Sequence, residues 1–475
     1  MGAPTDLTEL TDLPATEQRR LLTAGEVSAT ELLDAHLAVI DAVNPSVNAI
    51  IALDPEVGRD RARAVDAAVA RGDDPGPLAG LVTAHKDLTE TADFPTTWGS
   101  PLFAGFRPAA DSLVVARMKA AGAVAVGKTN TPELGAGSHT FNPVHGLTRN
   151  PWDLGRSAGG SSGGAAVALA CRMVAVADGS DMGGSLRNPA AWNGVVGFRP
   201  TPRVVPRVGP GNPWTTLSVE GPMGRTVADV ALLLGVLGRP DARDPLHRPI
   251  ELPVRLDPPG RPLLVAWSRD IGGVAIDPAQ VAVLDAYRPT LEALGWDVVD
   301  DEPDLGGADE CFRTLRAWQS ATGAVGLLEP TADQVKATVL DEIERGNVLA
   351  PSAIAAAYDH LGVLYRRSVE FFSRYDLLVG PVTQVAPFPV EWEYPNEIAG
   401  RTLTSYIDWM ASCYRVTVLG GPAMSLPAGF DGDGLPVGIH LVGAPGADVD
   451  VLRAAAALEA NATIPTRRPP AARNR

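Results

Sequence analysis

Two glycine-rich clusters, GGSSGG from Gly159 to Gly164 and DMGGSLRNPA from Asp181 to Ala190, hold three serines: Ser161, Ser162 and Ser185. A serine hydroxyl attacks a carbonyl only when a neighbouring base takes its proton. Glycines beside it let backbone N–H groups approach a ligand in conformations that a side chain forbids. Together these residue types suit acyl transfer, in which backbone donors face the oxygen where negative charge develops.

Two other strings compete. Gly122 to Thr129, GAVAVGKT, satisfies the GxxxxGK[ST] pattern that cradles nucleotide phosphates. Its AVAV interior reads as a strand, and Thr129 leads into the turn-like Asn130, Thr131 and Pro132, whereas a phosphate loop follows a strand and opens a helix. GGSSG also satisfies GxSxG around Ser161, the nucleophile elbow of α/β-hydrolase esterases, with His247, His360 and His440 as candidate bases. That reading leaves the second glycine cluster unexplained. His85 alternates with Lys86 on an expected strand and faces away from it.

The run GGSSGGAAVALA, followed by SDMGGSLRNPAAWNGVVGFRPT, resembles the amidase-signature family. GEVSATELL, NPSVNAII, VGKTNTPELG, TRNPWDLGR, GPMGRTVADVALLL and LPVGIHLVG are similar to further landmarks, so the resemblance covers most of the chain. Lys86, 75 residues before Ser161, and Ser185, 24 after it, match the family's lysine, cis-serine and nucleophilic serine. The resemblance implies an α/β fold with a central mixed β-sheet covered by helices on both faces. It also implies hydrolysis of carbon–nitrogen bonds in linear amides, through an acyl-enzyme on Ser185 with Ser161 as relay and Lys86 as base. The peptide bond from Gly160 to Ser161 would be cis, and the backbone N–H groups of Met182, Gly183, Gly184 and Ser185 would form the oxyanion hole. Ser162, Asp181 and Arg187 are expected supports: a hydroxyl in the hydrogen-bond network, and a charged pair bracing the nucleophile loop.

The chemistry asks the same of these residues. Lys86 must be uncharged to act as a base, and burial without a close carboxylate disfavours the ammonium form. The chain departs from the family's pattern at Arg199, where lysine is usual, and in TPRVVPRVGPGNPWTTLS, which is less regular than the usual continuation. Gly135 and Ala136 fall where some members carry bulky apolar residues, which predicts a roomier acyl pocket. The pocket rim is expected from Ser138 to His145, Val208 to Leu217 and Val382 to Leu403, which contain Phe141, Trp214, Phe388, Trp392 and Tyr394. The expected substrates are uncharged amides with aryl or medium alkyl groups, together with aryl esters and carbamates. The alternative within the family is the glutamine-hydrolysing subunit of a transfer-RNA amidotransferase, disfavoured by the segment after Arg199 and by the acidic charge. A catalytically silent binding protein ranks third, because all three catalytic positions are intact.

The composition fits a globular enzyme, with 45% hydrophobic and 20% charged residues among 475. A net charge of −16 repels phosphate backbones and anionic membranes, so a small-molecule substrate is expected, with no nucleic acid or membrane partner. The three cysteines, Cys171, Cys311 and Cys413, lie far apart without metal-ligand spacing. No metal or cofactor is expected, and a reduced, cytoplasmic setting fits. The amino-terminal MGAPTDLTEL shows no export or lipidation pattern. A monomer or homodimer is expected.

The elements that must position these residues follow from periodicity. Ser28 and Glu31 form a capping-box pattern before ELLDAHLAVIDAV, and a second helix is predicted over Glu56 to Ala70. From Gly80, short β-like runs (GLVTAH, AVAVG, MVAVAD, GVVGF) alternate with helical DSLVVARMKAA and SSGGAAVALA. Seven prolines between Pro240 and Pro262 mark an exposed connection. After it come strands at LLVAWS, LLVGP and PVGIHLVG, and helices at Pro278 to Leu294, Ile354 to Tyr375 and Val449 to Glu459. The reading is one domain over 1–475: a helical part (1–75), a catalytic core (76–239), the connection (240–262), a second part (263–464) and a flexible tail (465–475).

Overall fold

The computed structural model describes residues 7–209, 211–324, 334–461 and 467–473. The amino-terminal part is helical: α1 (Leu7–Asp12), α2 (Ala15–Thr23), α3 (Ala29–Val47) and α4 (Pro55–Arg71). The Ser28 hydroxyl accepts from the Glu31 N–H while the Glu31 carboxylate accepts from the Ser28 N–H, so two end donors of α3 are satisfied reciprocally. Asp54 caps α4, Pro55 opens it, and Gly72 closes it in a left-handed conformation.

A three-stranded sheet follows, in the order β1 (Ile50–Ile51), β3 (Val124–Thr129), β2 (Val82–Lys86), with β2 and β3 parallel. The short α5 (Leu113–Ala120) connects them, and β4 (Phe141–Asn142) and β5 (Gly146–Leu147) form a small hairpin. The first glycine cluster opens α6 (Gly163–Ala170), all eight residues of which are buried. Its small side chains permit close approach: a Cβ on Gly164 would lie 2.3 Å from the Asn130 nitrogen.

The central sheet has eight strands in mixed orientation: β6 (Ala177–Asp181), β7 (Val196–Arg199), β8 (Val219–Gly224), β9 (Leu264–Trp267), β10 (Asp297–Asp300), β11 (Leu377–Pro381), β14 (Ala423–Phe430) and β15 (Pro436–Val442). Their order is β10-β9-β11-β15-β14-β7-β8-β6. The sheet therefore takes strands from both sides of the proline-rich connection, which has no helix or strand of its own. The outlying β12 (Glu397–Ile398) and β13 (Arg401–Thr402) form a separate ladder.

Alternation along the strands serves two cores. Val265, Trp267, Leu377, Val379, Met424, Leu426, Ile439 and Leu441 join a cluster with α8 (Val227–Leu237), α9 (Pro278–Ala293) and α14 (Asp448–Asn461). Their neighbours Ala266, Leu378, Ala423 and Val442 join another with α7 (Arg187–Asn193), α10 (Ala308–Ala324), α12 (Pro351–Phe372) and α13 (Ala411–Thr417). α11 (Ala337–Asn347) packs on α10. The architecture is the expected α/β one.

Two expectations change. The run MVAVAD is not a strand throughout: β6 starts at Ala177, and Met173 to Val176 form a buried approach to it. The tail is docked over 467–473: Arg468 pairs with Asp12 at 2.8 Å and Ala472 is buried against the α3 cluster. Residues 465, 466, 474 and 475 lie outside the described residues.

Candidate active site

Lys86 ends β2, fully buried, and its Nζ lies 2.8 Å from Ser161 Oγ, 2.9 Å from Ser162 Oγ and 3.1 Å from Ser180 Oγ. Among the described residues no carboxylate comes within ion-pair distance of it. Burial pulls its pKa down to about 7, opposed through space by Asp181, Asp178 and Glu220. His85 turns away, its Nδ1 lying 2.7 Å from Asp178 Oδ1.

The loop before α6 is fixed through its carbonyls. Thr140 Oγ1 donates to Gly159 O at 2.7 Å and Ser138 Oγ donates to Gly160 O at 2.8 Å, and the Gly160–Ser161 peptide bond is cis. The two serine clusters meet through the backbone, where the Ser162 N–H donates to Ser185 O at 3.1 Å. Ser161 is buried and Ser185 half-buried, so Ser185 is the member of the set more open to solvent. No hydrogen bond joins the Ser161 and Ser185 hydroxyls among the described residues.

Asp181 organises the second loop. Its carboxylate accepts from the N–H groups of Gly184 (3.0 Å) and Leu186 (3.1 Å), and from Arg187 Nε (3.0 Å) and Nη2 (2.9 Å). Burial pushes the Asp181 carboxyl up, but the facing Arg187 guanidinium outweighs it and holds the group ionised. Arg187 also donates to Cys413 O, His440 Nε2 and Thr417 Oγ1, which ties the loop to α13 and β15. Gly184 adopts φ +117°, a conformation that favours glycine, and a Cβ there would lie 2.6 Å from that of Cys413. Of the four expected oxyanion donors, the Gly184 N–H bonds to Asp181 Oδ1 at 3.0 Å. The N–H groups of Met182, Gly183 and Ser185 have no partner among the described residues.

The family model for amidases matches residues 31–452. The chain belongs to the amidase family. It is 36% identical to an acylamidase of Rhodococcus erythropolis over 94% of this chain and 95% of that protein. It is also 36% identical to a glutamyl-tRNA(Gln) amidotransferase subunit of Salinispora arenicola, over 95% and 98%. A bacterial aryl acylamidase of the amidase-signature enzymes superposes with a TM-score of 0.89 at 27% identity, covering 95% of this chain and 96% of that one. The 6-aminohexanoate cyclic dimer hydrolase gives 0.85 at 32%, covering 98% and 100%. This amidase is a hydrolase acting on carbon–nitrogen amide bonds.

In the amidase, Gly135 leaves no room: its φ is +70°, and a Cβ there would lie 2.7 Å from a Leu88 methyl. Ala136 packs against Val335, just before α11, and Val339 within it, both buried. Phe141 is half-buried beneath Lys336, whose Nζ is 4.6 Å from the ring centroid. Trp214 is 62% exposed, on a segment held by Arg203 through the carbonyls of Pro213 and Thr215. Phe388 is core, packed edge-on against Trp192 and Trp409, and Trp392 is exposed. Pro210, within the expected rim, lies outside the described residues.

Sequence reasoning missed the wall beside the nucleophile loop. Phe312 of α10 and Tyr414 of α13 stack with centroids 4.6 Å apart, and a Cβ on Gly183 would lie 3.3 Å from Phe312 Cζ. Neither residue sits in a motif. The competing strings find no support: Lys128 lies inside β3 and is buried, and no described histidine bonds to Ser161 or Ser185.

Proposed function

We propose that this amidase hydrolyses uncharged amides bearing an aryl or medium alkyl group, by way of an acyl-enzyme on Ser185. Neutral Lys86 takes the proton of Ser161, Ser161 takes that of Ser185, and the Ser185 oxygen bonds to the amide carbon. The N–H groups of Met182, Gly183 and Ser185 face the oxyanion, and the relay returns the proton to the leaving amine as the C–N bond breaks. Water then attacks the ester through the same relay, releasing a carboxylic acid and free Ser185. The observation that carries the reading is a fully buried lysine whose Nζ meets hydroxyls and, among the described residues, no carboxylate. Aryl esters and carbamates share this acyl-transfer step. The Phe312–Tyr414 wall beside Gly183 supports a preference for flat apolar groups, whose burial is favourable by ~25 cal/mol per Å² before the costs of binding.

A second reading, glutamine hydrolysis within a partner-dependent complex, is favoured by the 36% identity to the Salinispora arenicola amidotransferase subunit. The net charge of −16 disfavours a complex on transfer RNA. Acetamide, a hexanoyl anilide, an aryl carbamate and free glutamine compared under one set of conditions separate the two. The anilide should give the highest kcat/KM. Preference for glutamine, or copurification of partner subunits, would replace the first reading with the second.

A further inference from the structure

A cavity of about 440 Å³ opens between the segment 201–217, the proline-rich connection at Leu246 and Arg248, the middle of α12 and the end of α13. Lys86, Ser161 and Ser185 are not among its walls. Three arginines are, Arg203, Arg248 and Arg366, and no aspartate or glutamate is. In a chain with 56 acidic and 40 basic residues, a cavity walled by arginines alone among the charged types stands out.

The arginines differ in what they hold. Arg203 is 4% exposed and braces the wall: it donates to Asp244 at 3.2 Å and to the carbonyls of Pro213 and Thr215, while its Nε is buried without a partner. The side chains of Arg248 and Arg366 donate to no group among the described residues. Arg248 acts through space on Asp448, which is buried and already accepts from the Thr201 N–H (2.8 Å) and hydroxyl (2.6 Å). Two guanidinium groups are thus free beside apolar walls. Tyr358, Leu361 and Tyr365 recur at i, i+3 and i+7 along one face of α12, and Leu217 and Leu246 stand in the other walls.

We propose that this cavity is a second ligand site, separate from the acyl-transfer site, that takes a small aryl or alkyl carboxylate. The carboxylate lies between Arg248 and Arg366, whose planar forks match its two oxygens. The apolar body rests on Tyr358, Leu361 and Tyr365. A bare inorganic anion would leave these apolar walls in water, so the observations favour an amphipathic acid. The site also adjoins the brace of the nucleophile loop, because Thr417 in its wall accepts from Arg187 Nη2 at 3.0 Å. The inference does not depend on the role of Ser185. Where that role holds, the ligand is of the class that amide hydrolysis releases.

The test is calorimetric titration of the wild-type chain with phenylacetate, 2-phenylethanol and inorganic phosphate, repeated on R248Q/R366Q and on chain treated with a fluorophosphonate. Phenylacetate should bind at least about tenfold more tightly than the uncharged alcohol, and the double variant should lose about tenfold or more, as expected for charge-assisted hydrogen bonds. The double variant's unliganded melting temperature should agree with wild type, and labelling of Ser185 should leave phenylacetate affinity unchanged. Equal affinity for alcohol and acid, equal affinity for phosphate, full affinity in the double variant, or loss of binding on labelling would each overturn the proposal. Failure of the fluorophosphonate to label any serine would instead count against the acyl-enzyme reading, and the arginine variants would still decide this one.

Discussion

Lys86 and Lys128 stand on neighbouring strands, β2 and β3, and neither has measurable exposure. Lys128 Nζ donates to Thr89 O at 2.6 Å and Thr96 Oγ1 at 2.8 Å, and lies 3.7 Å from Asp87 Oδ1. Lys86 meets three serine hydroxyls and, among the described residues, no carboxylate. Burial lowers both, to about 8 and about 7, with Asp87 the main opposing influence on Lys128. Burial alone therefore does not make a base. The described side-chain partners of Lys86 are all hydroxyls, whereas Lys128, besides the Thr96 hydroxyl, faces the Asp87 carboxylate.

The largest effects should follow from breaking the Lys86 side of this contrast. Ser185→Ala should lower kcat/KM on the order of 10⁴-fold or more and abolish fluorophosphonate labelling. Lys86→Met should lose roughly 10²–10⁴-fold. Lys86→Arg should fail comparably, because arginine stays protonated. Intact-mass analysis that found the label on Ser161 would favour the nucleophile elbow. Full activity in the arginine variant would remove the proton-transfer role.

Lys128→Met should do the opposite, harming stability more than chemistry. It leaves Asp87 buried opposite an apolar side chain, with the Thr97 N–H and hydroxyl, and His145 Nε2 at 3.9 Å, as its remaining partners. Breaking a buried pair in this way typically costs about 3–5 kcal/mol. Denaturant unfolding should show that loss while kcat per folded molecule stays close to wild type. A hundredfold fall in kcat would mean that the two lysines share the work.

The pH dependence sharpens the same comparison. As a base Lys86 must be neutral, so kcat/KM should rise with pH through about 7 and level off above it. Stability has the same sign. The folded pKa lies below the unfolded value of ~10.4, so between these limits the unfolded chain binds more protons and stability rises with pH. Lys86→Met removes that penalty. Its melting temperature should exceed wild type by the full, constant amount below about pH 6, by progressively less as pH rises through 7, and converge with it above about pH 10. A gap independent of pH would show that Lys86 is charged in the folded protein.

The sequence made the loops legible and left the walls unread, for a physical reason. Close approach of backbone is recorded as glycine and a reciprocal cap as Ser28 and Glu31, so both loops and α3 could be read locally. β8 (VEGPMG) and β14 (AMSLPAGF) carry glycine and proline and few β-branched residues, and their pairing is dictated by neighbouring strands. The packing of Gly135 and Ala136 depends on Leu88, Val335 and Val339, and the loop brace on Cys413, 226 residues from Arg187. Such contacts leave no local pattern. The docked carboxyl-terminal segment was hidden likewise, because its arginines and prolines look like a tail until Asp12 faces Arg468.

The smallest effect is expected at Arg199, which tests how much of the loop's polar support is needed. Arg199 ends β7, fully buried, and its Nη1 donates to the backbone carbonyl of Asp181 and lies 3.4 Å from Asp181 Oδ1. Its Nε and Nη2 are buried without partners. Only one of its nitrogens thus helps hold Asp181, and a lysine ammonium could occupy that place. Burial lowers the arginine to about 10 although Asp181 opposes it, so this cation is tolerated within the core without being fully satisfied. Arg199→Lys removes two unpaired donors, each costing about 1–3 kcal/mol when buried, and leaves a small void in exchange. The two terms oppose, so the melting temperature should move by only a few degrees. Arg187 keeps its own bonds to Asp181 in the variant, so kcat/KM should stay within about threefold of wild type, an energy difference below 1 kcal/mol. A tenfold fall, with the protein folded and its pH profile unchanged, would show that the guanidinium plane itself sets the angle of Asp181 and through it the Gly184 backbone.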